Sequence, residues 1–121
     1  MNSYICNIRP HVVHELAAAE RAEAAGDSAG AFAHLERAHV LGQPSTTLHV
    51  RVHWRMFLWG WRQRSMHECF GQVYRLIGAA TKTFIGFVPS GNTGGANVSP
   101  VQPMPVPPEL AAIIERAQRP R

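Results

Sequence analysis

Seven histidines, His11, His14, His34, His39, His49, His53 and His67, are many for a chain of 121 residues. Imidazole nitrogens ligate zinc and related first-row metals, and carboxylates join them readily. Glu15 follows His14 directly, Glu36 stands three residues before His39, and His49 and His53 are four apart. On a helix, positions i and i+4 are neighbours on one face, so His49 and His53 would present two imidazoles side by side. A His/Glu pair could also serve general acid–base chemistry. The plainer use of such residues is structural: core or half-exposed imidazoles bonded to Glu15, Glu36 or helix-end carbonyls.

Whether these side chains meet depends on the helices that carry them. Residues 1–9 read as an irregular arm. Pro10 suits a first helical turn, where a missing N–H costs nothing, and helix one is expected from Pro10 to Ala25. Gly26 and Asp27 end it, with Asp27 or Ser28 as the next cap. Helix two should run from Ala29 to Leu41 and stop at Gly42-Gln43-Pro44. Ser45 or Thr46 then caps helix three, which runs to Trp61 or Arg62. Ser65 opens helix four, Met66 to Ala80, where Phe70, Val73, Tyr74 and Ile77 recur at helical spacing.

A short apolar piece, Thr83 to Val88, follows. Pro89 to Pro100 is a Gly/Asn-rich loop, and Val101 to Pro108 is Pro-rich and extended. A last helix, Leu110 to Ala117, carries Leu110, Ile113 and Ile114 as a docking stripe. The chain is therefore read as one all-α domain. Its parts are a helical core over 10–88, a loop over 89–108 and a short helix over 109–118.

This layout brings the histidines toward one end of the bundle. His14 lies twelve residues before Gly26 and His39 twelve after Asp27, so an antiparallel pair sets them level. The chain turns again at Gly42–Pro44, which returns His49 near His39. The expected ligand set is His14, Glu15, Glu36, His39, His49 and His53. Facing helices of a bundle commonly build metal sites. The ferritin-like carboxylate set needs two Glu-x-x-His motifs, and this chain has one.

Composition narrows the alternatives. The net charge is +4 with histidine neutral, and Lys82 is the single lysine. Arg51, Arg55, Arg62, Arg64 and Arg75 surround Trp54, Trp59 and Trp61, a mixture that could grip single-stranded nucleic acid. Trp54, Phe57, Leu58 and Trp61 recur at spacings of three and four, which instead suggests a core face with arginines in solvent. Cys6 and Cys69 form no metal-ligand spacing and read as free thiols in a reducing, cytoplasmic compartment. No secretory pattern opens the chain, and no segment reaches the roughly 18 apolar residues of a membrane span. The loop Gly91-Asn92-Thr93-Gly94-Gly95-Ala96-Asn97 could form an anion nest, but it lacks the Lys-Ser/Thr of a nucleotide-binding loop. Packing over the bundle is its simpler role. Nothing in the sequence specifies an enzyme.

Two resemblances add to this reading. Gly26-Asp27 with Ala31, Leu35 and Ala38 resembles the second half of a tetratricopeptide repeat. Phe70, Tyr74 and Ile77 give a looser copy about 39 residues on, against about 34 for that class. The architecture is thus expected to be two antiparallel helical hairpins, tetratricopeptide-like, with the Gly/Pro-rich segment wrapped over them. That alignment turns Glu15, His39, His49 and His53 inward.

The stretches His14–Ala22, Leu35–Gln43, His49–Met56 and Gly78–Thr83, closing on Gly91–Pro100, resemble a small bacterial family, domain of unknown function 3703. Gly91-Asn92-Thr93-Gly94-Gly95 is the most specific piece. The family brings no established activity. It brings an association with heavy-metal efflux genes, which implies a heavy-metal handling or resistance role. Two functions are therefore expected in competition. One is binding of a divalent transition metal, zinc or similar, through the clustered histidines. The other is a tetratricopeptide-like protein-interaction module without metal.

Overall fold

The computed structural model describes residues 3–82, 93–96 and 103–119. Among them five helices follow one another without a strand: α1 (Ser3–Ala24), α2 (Ser28–Gly42), α3 (Thr46–Arg62), α4 (Met66–Lys82) and α5 (Pro108–Gln118). The fold is all-α, built from the hairpins α1–α2 and α3–α4. The segment Thr83–Val88 and the ends of the Gly/Asn-rich loop lie outside the described residues.

Each turn is made by local chemistry. Gly26 takes φ +84, the left-handed conformation that glycine adopts without a Cβ penalty. The Asp27 carboxylate then accepts the N–H of Gly30 at 2.9 Å. Ser45 accepts the N–H of Leu48, and Ser65 that of Glu68, each at 3.3 Å. These side chains satisfy donors that a helix start would otherwise leave unpaired.

The N-terminal arm is a correction. Residues from Ser3 onward are helical, and Pro10 sits inside α1 instead of opening it. A mid-helix proline costs about 3 kcal/mol, so tertiary contacts must hold the segment ahead of it. Ile8 is completely buried, the Tyr4 hydroxyl donates to the Leu41 carbonyl at 3.0 Å, and Asn7 Nδ2 donates to the Ala117 carbonyl at 3.1 Å. Burial of one isoleucine is worth roughly 1.5–3 kcal/mol. Together with those bonds it offsets the proline.

One core runs through the molecule. Val12 and Leu16 of α1 meet Leu35, Ala38 and Leu41 of α2, Leu48, Val52 and Met56 of α3, and Leu110 and Ala117 of α5. Leu110 is buried, with Ile113 and Ile114 partly buried against the core, as the docking stripe requires. Among the described helices α4 packs on α3 alone.

That edge position overturns the expected Trp/Phe core face on α3. Trp54 and Trp61 are 49% and 64% exposed, and on α4 Phe70, Tyr74 and Ile77 are each more than 60% exposed. Their periodicity is helical, but the core occupies the opposite faces: Val52 and Met56 on α3, Cys69, Gln72 and Ala79 on α4.

Candidate metal centre

His39 lies near the end of α2, and His49 and His53 lie one turn apart on α3. The turn between the helices folds α3 back on α2, and the three rings converge. His39 Nε2 is 3.1 Å from His49 Nε2 and 3.1 Å from His53 Nε2, and those two are also 3.1 Å apart. All three residues are buried. Three nitrogens therefore occupy the corners of one small triangle inside the protein.

A second layer fixes the rings. Gln72 of α4 donates through Nε2 to Glu68 Oε2 at 2.6 Å and to the Gly94 carbonyl at 2.9 Å. Both partners only accept, so the amide orientation is set and Oε1 must face His53. It accepts from His53 Nδ1 at 2.5 Å. With its proton on Nδ1, neutral His53 turns a lone pair on Nε2 toward the triangle.

The described part of the glycine-rich loop closes over this layer. Gly94 has φ +84, and a Cβ there would collide with the His39 ring. The Ala96 N–H donates to Glu68 Oε2 at 3.0 Å. The loop thus packs on the imidazoles, and Gly94 is glycine both for its backbone angle and for the close approach.

Burial favours the neutral forms of His49 and His53. Burial lowers His49 to about 4. Burial, then the neighbouring His49, lowers His53 to about 3 against the opposing hydrogen bond that His53 donates to Gln72. Glu36 is raised, first by burial and then by the Glu68 charge, while a hydrogen bond from Thr93 pulls it down.

The donor set suits a first-row metal. A neutral imidazole carries one proton, and a hydrogen bond joins only two nitrogens. Three nitrogens equidistant from each other are a geometry that one shared cation could satisfy. At a Zn–N bond of about 2.0–2.1 Å, tetrahedral ligand nitrogens stand roughly 3.3–3.4 Å apart. The triangle is within a few tenths of an ångström of that spacing. Among the described residues it is the group of three or more potential ligands close enough to hold an ion.

The other expected ligands lie outside the triangle. His14 is exposed. The level of His14 along α1 follows from counting, but its direction does not: it is two residues from buried Val12, so it points away from the core. Glu15 is buried, yet its oxygens are taken by His34 Nδ1 at 2.7 Å and Arg37 Nε at 3.0 Å. Arg37 also reaches Glu109 at 2.9 Å, which ties α1, α2 and α5 together. Glu36 is half-buried and outside the three-residue group. The sequence reading missed Gln72 and Glu68. Their placement at i and i+4 on α4, with apolar residues turned the other way, was the available signal.

No curated protein and no solved structure matches the chain. A family profile described as "Protein of unknown function (DUF3703)" matches residues 6–114, nearly the whole of the 121-residue chain, and the chain belongs to that family.

Proposed function

We propose that this protein binds one divalent transition metal, zinc or a similar ion, through His39, His49 and His53. The observation that carries the reading is the triangle of buried Nε2 atoms at 3.1 Å. Neutral, desolvated imidazoles are ready ligands because no proton must leave before the metal enters. The three described donors are all nitrogen. That suits zinc, cobalt, nickel or copper better than thiolate-seeking metals. A part in heavy-metal handling draws on the family association given above, and the buried site fits holding an ion better than turning over a substrate.

The test is metal content by mass spectrometry on untagged protein purified without chelator, with zinc and cobalt titrations. One metal per chain is expected. His49→Ala with His53→Ala should abolish binding, and His14→Ala should leave it intact. Affinity that survives the double substitution rules the site out.

A second reading, a protein-interaction module, is favoured by a different observation: the apolar face on α3 and α4 that no described residue covers. The two roles are compatible.

A further inference from the structure

The α3–α4 hairpin carries its apolar residues on two sides. One side of α3 packs on the core through Leu48, Val52 and Met56. On α4 the side bearing Glu68 and Gln72 receives the Gly94–Ala96 loop. The remaining side is also apolar. On α3 it consists of Trp54, Phe57 and Trp61, stacked in sequence with ring centroids 5.5 and 6.4 Å apart. On α4 it consists of Met66, Phe70, Val73, Tyr74 and Ile77, at spacings of three and four. The helices are antiparallel neighbours, joined by Gly60 against Glu68 and by the Cys69 thiol on the Phe57 carbonyl. About those contacts, the α3 stripe and the α4 stripe both rotate to the same flank of the pair. They form one continuous face.

We infer that this face is the interface with a second copy of this chain. Its size fits. Trp54, Trp61, Met66, Phe70, Val73, Tyr74 and Ile77 are 45–68% exposed. At the surface such side chains carry, they offer on the order of 900 Å², and a standard stable interface takes about 800 Å² from each partner. Ordinary monomers rarely expose so much contiguous apolar surface.

Its chemistry also selects the occupant. No charged residue stands among the eight positions of the two stripes. Arg55 and Arg62 of α3 turn to Glu20 and Glu23 of α1, which leaves exposed Arg51, one turn before Trp54, and exposed Arg64, after α3, at the rim of the face. A nucleic acid or an anionic lipid surface would need cations on the contact. An uncharged face related to itself by a two-fold axis meets no like-charge repulsion and needs no partner-specific pairing. Two hairpins stacked in this way make a four-helix layer with an apolar interior. The triangle of imidazoles lies off this flank, so the inference stands independently of metal binding.

Sedimentation equilibrium on the full chain at micromolar concentration is the test. A mass twice the 13.4 kDa chain mass is expected. Phe70→Glu and Ile77→Glu replace exposed side chains, so helical content by circular dichroism should hold while each weakens the dimer at least about tenfold. Val73→Cys should cross-link under mild oxidation, because a two-fold contact sets the centre of the α4 stripe near its copy. A wild-type chain that sediments at 13.4 kDa overturns the inference. So does a dimer that persists in folded Phe70→Glu/Ile77→Glu protein, or a wild-type dimer in which Val73→Cys fails to cross-link.

Discussion

Gln72 makes the three hydrogen bonds on which the site's order depends. Its carbonyl oxygen takes the His53 Nδ1 proton, and its amide group joins Glu68 to the loop carbonyl of Gly94. Hydrogen-bond partners behind a ligating histidine typically change metal affinity by about 10–100-fold when removed. Gln72→Leu should therefore weaken zinc binding by about that factor in a competition titration, although no ligand is lost. It should also lower stability by about 1–3 kcal/mol, the cost of a buried polar group left without its partner. At this scale the sequence was partly legible. The i, i+4 pair His49/His53 and the Glu36-x-x-His39 neighbourhood drew attention to α2 and α3. Gln72 offered only its i, i+4 placement with Glu68 opposite the apolar stripe of α4, and a glutamine's role becomes clear only when its contacts are known.

At the scale of elements, two glycines share φ +84 but differ in surroundings. Gly26 has open space where a Cβ would stand, whereas Gly94 faces the His39 ring. An alanine forced into the left-handed region costs about 1–2 kcal/mol. Gly26→Ala should show a loss of that size in urea unfolding and leave metal affinity unchanged. Gly94→Ala should lose more and also weaken metal binding, because the loop must lift or the imidazole must turn. Equal effects at the two positions would contradict the packing described. Helix boundaries were legible wherever a cap or turn residue is local: Asp27, Ser45, Ser65 and Pro108 each mark an edge. The start of α1 was not, because Tyr4 and Asn7 are held by residues 37 and 110 positions away and Ile8 by the common core, and no local rule weighs such contacts against Pro10. The outward faces of α3 and α4 were hidden for a related reason. Periodicity reveals that a stripe exists but not which of two stripes meets the core.

For the whole molecule, buried neutral histidines make stability depend on pH. An unfolded histidine titrates near 6.5, whereas His49 and His53 titrate near 4 and 3 in the fold. Between those values the unfolded chain binds more protons, so falling pH favours unfolding. Their contribution is complete above about 6.5 and is lost progressively as pH drops toward 3. The urea midpoint of metal-free protein should fall between about pH 7 and pH 5. His49→Gln/His53→Gln protein, less stable at neutral pH, should show a flatter profile. A wild-type midpoint independent of pH across that window would mean that the imidazoles are not desolvated as described. Bound metal should steepen the fall, since protons and metal compete for the same lone pairs. No described helix is long and apolar enough to cross a membrane.

The connection between α2 and α3 is only residues 43–45. All three converging imidazoles therefore belong to one short hairpin, two of them on a single rigid helix. If they hold a metal as proposed, the three donors would form a tridentate chelate whose ring-closure entropy is already met by one tight turn. The remaining helices then have a different task from supplying donors. They bury the three imidazoles and orient His53 through Gln72, so most of the chain acts as an insulating jacket around a motif of fifteen residues.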